Sequence, residues 1–285
     1  MAGACLPGSR LWRLEMAAAK GRIRVGIGGW TFEPWRGVFY PQGLVQSKEL
    51  QYAASHVTAI EINATYYGSQ KPESFRRWAQ ETPDGFVFSV KGPRFATNRK
   101  VLAEAGPSIE RFVESGVTEL GSKLGPLLWQ LAGTKRFDPD DMKAFLDLLP
   151  ERHNGVALRH VIEARHISFR DPEFLAMLRA RNIAAVCIDD IDYPMLPDAT
   201  ADFVYLRLER SQESEETGYA KADIDAWAKR AALWAEGHEP DDLSRVAPLP
   251  EGKDAGKPRD VFLYFISGAK VRNPAAAMAM IERLG

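Results

Sequence analysis

Glu163, Arg165 and His166 fall within one short stretch, residues 161–169 (VIEARHISF), inside an otherwise apolar run. A carboxylate for proton transfer, a guanidinium for gripping an anion and an imidazole that titrates near neutrality are raw material for acid–base catalysis. Glu163 and His166 are the candidate acid–base residues of this stretch. Lys91, at the end of FVFSVK, is a third catalytic candidate, an amine that becomes a nucleophile where its charge is suppressed. Other polar side chains end similar apolar runs: Glu61 and Asn63 in AIEIN, Gln130 in LLWQL, Asp189 in VCIDD, Arg207 and Glu209 in VYLRLE. Lys91, Arg94, Arg165 and Arg207 form a candidate cluster for phosphate or carboxylate, the guanidinium groups with two parallel hydrogen bonds each. Trp30, Trp35, Tyr66 and Tyr67 are candidates to stack on a sugar or base, or to close a core.

These groups meet only if the chain brings them to one rim. Alternation of apolar residues predicts strands over 22–30, 59–63, 86–91, 125–131, 161–165, 184–189, 203–209 and 260–266. Helical spacing falls between them, with Ser47, Pro72, Pro107, Asp138-Pro139, Asp171-Pro172 and Asn273-Pro274 as start signals. A further helix runs through Ile224, Trp227, Ala228 and Ala231, whereas the sixth crossover, residues 190–202, carries Pro194 and Pro197 and predicts no helix. Strand and helix thus alternate about eight times over roughly 260 residues, the rhythm of a single-domain TIM-type (β/α)8 barrel with a degenerate sixth crossover. An open doubly wound sheet is the competing α/β architecture, but IGGWTFEPW lacks the glycine spacing of a dinucleotide fingerprint. Residues 1–22 read as a flexible extension, and residues 237–259, rich in Pro, Gly and charge, as a surface insertion or loop.

Strand parity sharpens the picture, because alternate side chains face opposite sides. Glu61 and Asn63 oppose Ile60 and Ile62, Ser89 and Lys91 oppose Phe88 and Val90, and Arg207 and Glu209 oppose Leu206 and Leu208. A face packed on amphipathic helices must be apolar, so the polar set points into the barrel or up to its rim. Seven charges result: Glu61, Lys91, Glu163, Arg165, Asp189, Arg207 and Glu209. They crowd toward the carboxyl ends of their strands, where barrel enzymes do their chemistry. Buried charges require partners, so the set is either a salt-bridged core or a pocket for a hydrophilic, anionic substrate.

Lys and Arg number 37 against 38 Asp and Glu, a net charge of -1, so no overall field draws the chain to nucleic acid or an anionic membrane. Two cysteines, Cys5 and Cys187, match no metal or redox spacing and read as reduced thiols of a cytoplasmic protein. No apolar run approaches a membrane span.

Taken together, GIGGWTFEPWRGVFYP, EINATYY, GFVFSVKGPR, LGPLLWQL, IEARHISF and FVYLRLE resemble the YecE-like family (domain of unknown function 72), from about Ile23 to the C terminus. The resemblance implies a TIM-type barrel and brings no assigned reaction. Trp30, Trp35, Glu61, Asn63, Thr65, Tyr67, Lys91, Arg94, Gln130, Glu163, Arg165, His166 and Arg207 stand where the family pattern has them. Three places depart from it: Ile167 replaces a Pro, Glu209 replaces a His, and Ile266-Ser267 replaces a pair of Asn.

Two classes of function fit. One is an enzyme acting by acid–base catalysis on a small polar, phosphorylated or sugar-like anion, with no cofactor. The other is a nucleic-acid or phosphate-binding barrel, nuclease-like, in which cations and aromatics hold phosphate and bases. A divalent metal on Glu61, Glu163, Asp189, Glu209 and His166 is the minority alternative, opposed by cations in the same space. The oligomeric state is not legible.

Overall fold

The structure, a computed structural model, describes residues 20–247, 249 and 256–285. Eight parallel strands close into a barrel: β1 (Ile23–Gly28), β2 (Ala59–Ile62), β3 (Val87–Lys91), β4 (Leu124–Gln130), β5 (His160–Glu163), β6 (Ala184–Asp189), β7 (Phe203–Leu208) and β8 (Asp260–Phe265). Each pairs with its neighbours in sequence, and β8 returns to β1. Closure leaves none of these eight strands at a sheet edge, and a separate two-stranded hairpin, Arg152–His153 with Val156–Ala157, precedes β5.

Among the described residues seven α-helices of six residues or more pack outside: α1 (Glu49–Ala54), α2 (Pro72–Gln80), α3 (Gly106–Glu114), α4 (Pro139–Asp147), α5 (Pro172–Arg179), α6 (Lys221–Ala235) and α7 (Asn273–Leu284). Asp138 accepts the Asp141 amide of α4 and Asp171 the Glu173 amide of α5, and the Pro after each needs no such partner. No helix forms across residues 190–202, so β6 passes to β7 through an irregular link. Among the described residues no helix is long and apolar enough to cross a membrane.

Two cores result. Helices and outward strand faces share one, including Ile60, Trp129, Phe145 and Leu206. The barrel interior holds the other, from Ala59, Val87, Leu128 and Val161 to Tyr205, Phe262 and Tyr264. The aromatic members fill the lower barrel, and Ser89 bonds Tyr264 hydroxyl-to-hydroxyl at 2.7 Å above them. The polar side chains therefore sit on a solid floor.

Strand ends differ from the sequence reading by a residue or two. β1 stops at Gly28, where Gly29 turns at φ 71, a conformation that glycine adopts without strain. β5 begins at His160 and ends at Glu163, so Arg165 already belongs to the following loop. Asn273 does not cap α7 but opens it, and its side chain instead joins Ser211 and the Ser267 carbonyl.

Residues 1–19, with Cys5, and residues 248 and 250–255 lie outside the described residues, as does most of the extension read over 1–22. The described part of 237–259 is docked rather than loose. Asp198 accepts the amides of Val246 and Ala247 at 2.8–3.1 Å, and Arg179 donates to the Ala247 carbonyl at 3.0 Å.

Candidate active site at the C-terminal mouth of the barrel

Arg207 is the hub. It sits on the interior face of β7 and is only 2% exposed. Its Nη1 donates to Glu163 Oε2 at 2.6 Å and to Glu209 Oε1 at 2.7 Å, while Nε and Nη2 reach the two oxygens of Glu61 at 3.2 and 3.3 Å. Tyr205 donates its hydroxyl to Glu61 at 2.7 Å. Glu163 also accepts from Gln130 Nε2 at 2.6 Å and from Arg165 Nε. Strands β2, β4, β5 and β7 are thereby tied together across the barrel.

Burial alone would drive these charges out. It lowers the pKa of Arg207, but Glu163, Glu61 and Glu209 outweigh it and hold the guanidinium above its ordinary value. Burial raises Glu163, and Arg207, Arg165 and Lys91 overcome that to leave it below the usual carboxylate range. Glu209 goes the other way: burial lifts it, and Arg207 only partly compensates. With three donors on its two oxygens and a depressed pKa, Glu163 is poorly placed to take a proton from a substrate.

Above the network opens a cavity of about 510 Å³, lined by Trp30, Asn63, Tyr67, Lys91, Arg165 and Lys270 among others. Its size suits a small molecule. Lys91 is 8% exposed, its ammonium 4.3 Å from the centroid of the Tyr66 ring. Burial first, then the Arg207 charge, bring its pKa down to about 8, against the pull of Glu61 and Glu163. Lys270 lies over the Phe32 ring at 4.5 Å, and burial lowers its pKa too. Among the described residues neither lysine has a carboxylate oxygen within 4.0 Å, the ion pairs being made elsewhere. Arg165 stacks on Tyr193 at 4.3 Å and reaches its hydroxyl at 3.3 Å. Four cations thus face the three carboxylates of the network, an excess of positive charge at the mouth.

The sequence candidates divide. Trp30, Asn63, Tyr67, Lys91, Gln130, Arg165 and Arg207 line the cavity, with Glu61, Glu163 and Glu209 behind or beneath them. Trp35 does not: it is fully buried among Phe32, Phe39 and Tyr40, its Nε1 donating to the Lys270 carbonyl at 2.9 Å. Arg94 is exposed outside the mouth, over the Phe95 ring. His166 turns away and its Nδ1 accepts the Ser168 amide at 3.1 Å, capping the turn Ile167–Phe169. Asp189 corrects the inward set of seven. Ala184, Val186 and Ile188 face the interior on β6, so Asp189 faces the helices and lines a separate hollow with Arg210 and Trp227.

Lys270, Ser267 and Asn273 line the cavity and were not among the sequence candidates. Their signal is position: they follow β8, in the part of a barrel rim that often receives phosphate. A metal-ligand set is a poor match to this geometry. Glu61, Glu163 and Glu209 converge on a guanidinium, and among the described residues no three His, Cys, Asp or Glu side chains gather as a ligand group. A second hollow of about 470 Å³ lies by Arg159 and His160, at the other end of β5. There His160, whose pKa burial lowers to about 4, is a neutral bridge between Trp129 Nε1 and the Pro150 carbonyl.

Fold and site together define a TIM-type barrel with its charged side chains gathered at the C-terminal mouth. The chain belongs to the family described as "Protein of unknown function DUF72", whose sequence model matches residues 24–285. Among curated relatives, the UPF0759 protein YecE of Escherichia coli K12 is 30% identical over 142 residues, covering 48% of each chain. The UPF0759 protein YunF of Bacillus subtilis is 33% identical over 69 residues, 24% of this chain and 23% of that protein. The chain therefore spans about half the length, or less, of the curated relatives it matches. A crystal structure of a DUF72 family protein from Thermotoga maritima superposes with a TM-score of 0.67 at 22% identity, covering 92% of this chain and 98% of that one. A protein described as SacUVDE gives 0.51 at 8% identity, over 92% and 98%. At these identities the likeness is one of fold.

Proposed function

We propose that the mouth cavity binds a small anionic substrate, phosphorylated or of the sugar-acid type, and that Lys91 moves protons on it. The observation that carries this reading is the pair of lysines, Lys91 and Lys270, which face one cavity with no carboxylate partner among the described residues. An anion there completes a charge balance the protein leaves open. Arg165 and Lys270 hold the anionic group, and Asn63 and Gln130 offer amides to hydroxyls. Lys91, its pKa brought down to about 8, takes over the proton transfer that Glu163 and His166 are ill placed to perform. No cofactor enters this scheme, and a cytoplasmic setting is proposed with it on the free, buried Cys187.

A thermal-shift and calorimetric series with phosphosugars, sugar acids and inorganic phosphate tests the proposal. Wild type is stabilised, and Arg165→Ala and Lys270→Ala lose the effect. Anions that leave wild type unmoved, or that bind both variants as well as wild type, refute it.

A second reading, a barrel that binds single-stranded nucleic acid, is favoured by one feature. Lys71, Arg94, Lys100 and Arg136 are exposed on the loops after β2, β3 and β4, beside Tyr67 and Phe95 at 69% and 60% exposure. Asn98 bonds Tyr66, and Lys135 the Lys100 carbonyl, so these loops are contiguous. Asp192, Glu213 and Glu216 are exposed on the loops after β6 and β7. Stacking and phosphate pairing on the basic side would give oligonucleotide binding that falls steeply with salt and weakens in Arg94→Ala.

A further inference from the structure

Resting on the anion-binding reading above, we propose that Lys91 forms an imine with its substrate, an aldehyde or ketone that also carries a carboxylate or phosphate.

The geometry separates Lys91 from Lys270, the other lysine of the cavity, and from the half-buried lysines outside it. It ends β3, and its own carbonyl accepts the Thr65 hydroxyl at 2.7 Å, which fixes the backbone beneath the side chain. The next residue is Gly92, where a Cβ would meet the Trp129 ring at 2.6 Å, so the strand leaves the barrel along one path. From this anchor the four-carbon stem runs through buried surroundings to the cavity. Lys270, by contrast, stands on a short turn, Lys270–Arg272, in the loop after β8. Lys135 is paired with Asp141, and Lys123 donates to the carbonyls of Ala79 and Thr82.

The groups facing Lys91 prepare it for nucleophilic work. Arg207 and Arg165 repel its proton, Glu61 and Glu163 attract it, and burial tips the balance toward the neutral amine. The Tyr66 ring face lies 4.3 Å from the ammonium and favours its charged form. The carboxylates are held by guanidinium groups and cannot fold over Nζ to neutralise it. Arg165 and Lys270 line the same cavity and would hold the acidic group of a small substrate with its carbonyl toward Nζ.

The step balances without a further reagent. The lone pair of neutral Nζ attacks the carbonyl carbon, the carbonyl π pair moves to oxygen, and that oxygen takes a proton. Nitrogen gives up a proton, which leaves a carbinolamine. Its oxygen takes a second proton and departs as water with the C–O electron pair while the nitrogen lone pair forms the C=N bond, and nitrogen releases its second proton, so amine plus carbonyl become imine plus water. Once protonated, the imine draws electrons from the adjacent carbon, which suits removal of an α proton or cleavage of the next C–C bond.

Glyoxylate, the smallest oxo acid, is the probe, because a cavity of this size cannot exclude it. Wild type is treated with glyoxylate and borohydride near pH 7, followed by intact mass and peptide mapping, and in parallel its thermal shift with inorganic phosphate is recorded. The expected result is one adduct per chain, heavier by glyoxylate less one oxygen, on the Lys91 peptide and absent from Lys91→Arg. Labelling there is roughly tenfold or more faster than at exposed lysines and levels off above about pH 8, while theirs keeps rising toward about 10.5. Adducts spread over the lysines by exposure overturn the proposal. Stabilisation by phosphate with no adduct on Lys91 overturns the imine and leaves anion binding standing; neither effect overturns both.

Discussion

Replacing Arg207 with Met removes the one cation that three buried carboxylates share while keeping most of its volume. Deleting one partner of a buried ion pair costs about 3–5 kcal/mol, because the other is left bare. The cost does not triple, since Glu163 keeps Gln130 and Arg165 and Glu61 keeps the Tyr205 hydroxyl. The upper end, about 5 kcal/mol, is therefore expected, or a fall in Tm of about 10–20 °C for a chain of this length. Acidity supplies an internal check. In wild type the depressed pKa of Glu163 gives stability that is present above the unfolded value and is lost as pH falls through the folded one. In Arg207→Met the orphaned carboxylates titrate above their unfolded values, so acid relieves their penalty. The wild-type loss begins below the unfolded glutamate value of about 4.3, so only the second trend acts on going from pH 7.5 to 5, and it shrinks the gap between the two proteins. Urea unfolding at both pH values, followed by the fluorescence of buried Trp35, Trp129 and Trp234, measures it. A loss below about 1 kcal/mol, or a gap that widens in acid, refutes the hub assigned to Arg207.

Two further outcomes are expected. Lys91→Met is more stable than wild type at pH 7, by up to about 3 kcal/mol, because a buried ammonium whose pKa falls to about 8 penalises the fold. That penalty is full below pH 8 and gone above the unfolded lysine value of about 10.4, so urea midpoints of the two proteins converge across this range. His166→Ala loses a cap of the Ile167–Phe169 turn and about 0.5–1 kcal/mol, with anion affinity by calorimetry unchanged; a large drop in affinity would return His166 to the site.

Much of the barrel was readable because its strands alternate cleanly, and parity sent Glu61, Lys91, Glu163, Arg165, Arg207 and Glu209 to one place. The same rule explains the misses. On β6, AAVCID is apolar on both faces, so nothing in the pattern says which face the terminal Asp189 shares. His166 follows Arg165 directly and so points the other way, into its own turn. Tyr193 and Lys270 sit on loops, where no period relates neighbouring side chains, and only the folded path brings them to the cavity. Trp35 belongs to an aromatic-rich loop whose sequence does not say which ring is driven inward; its indole N–H finds a carbonyl from the far end of the chain.

The salt-linked hub has a consequence for how the chain arrives at this fold. Glu61 and Arg207 are 146 residues apart and stand on strands that are not neighbours, so their contact exists only in a closed barrel. A strand that slid by one residue would swap its faces and carry its charge into the apolar shell under the helices. Misclosed barrels would then bear bare charges in oil, while the correct register alone cancels them. The hub proofreads the closure: whatever it contributes to stability, it makes near-miss barrels expensive, and an all-apolar interior would lose that discrimination between registers.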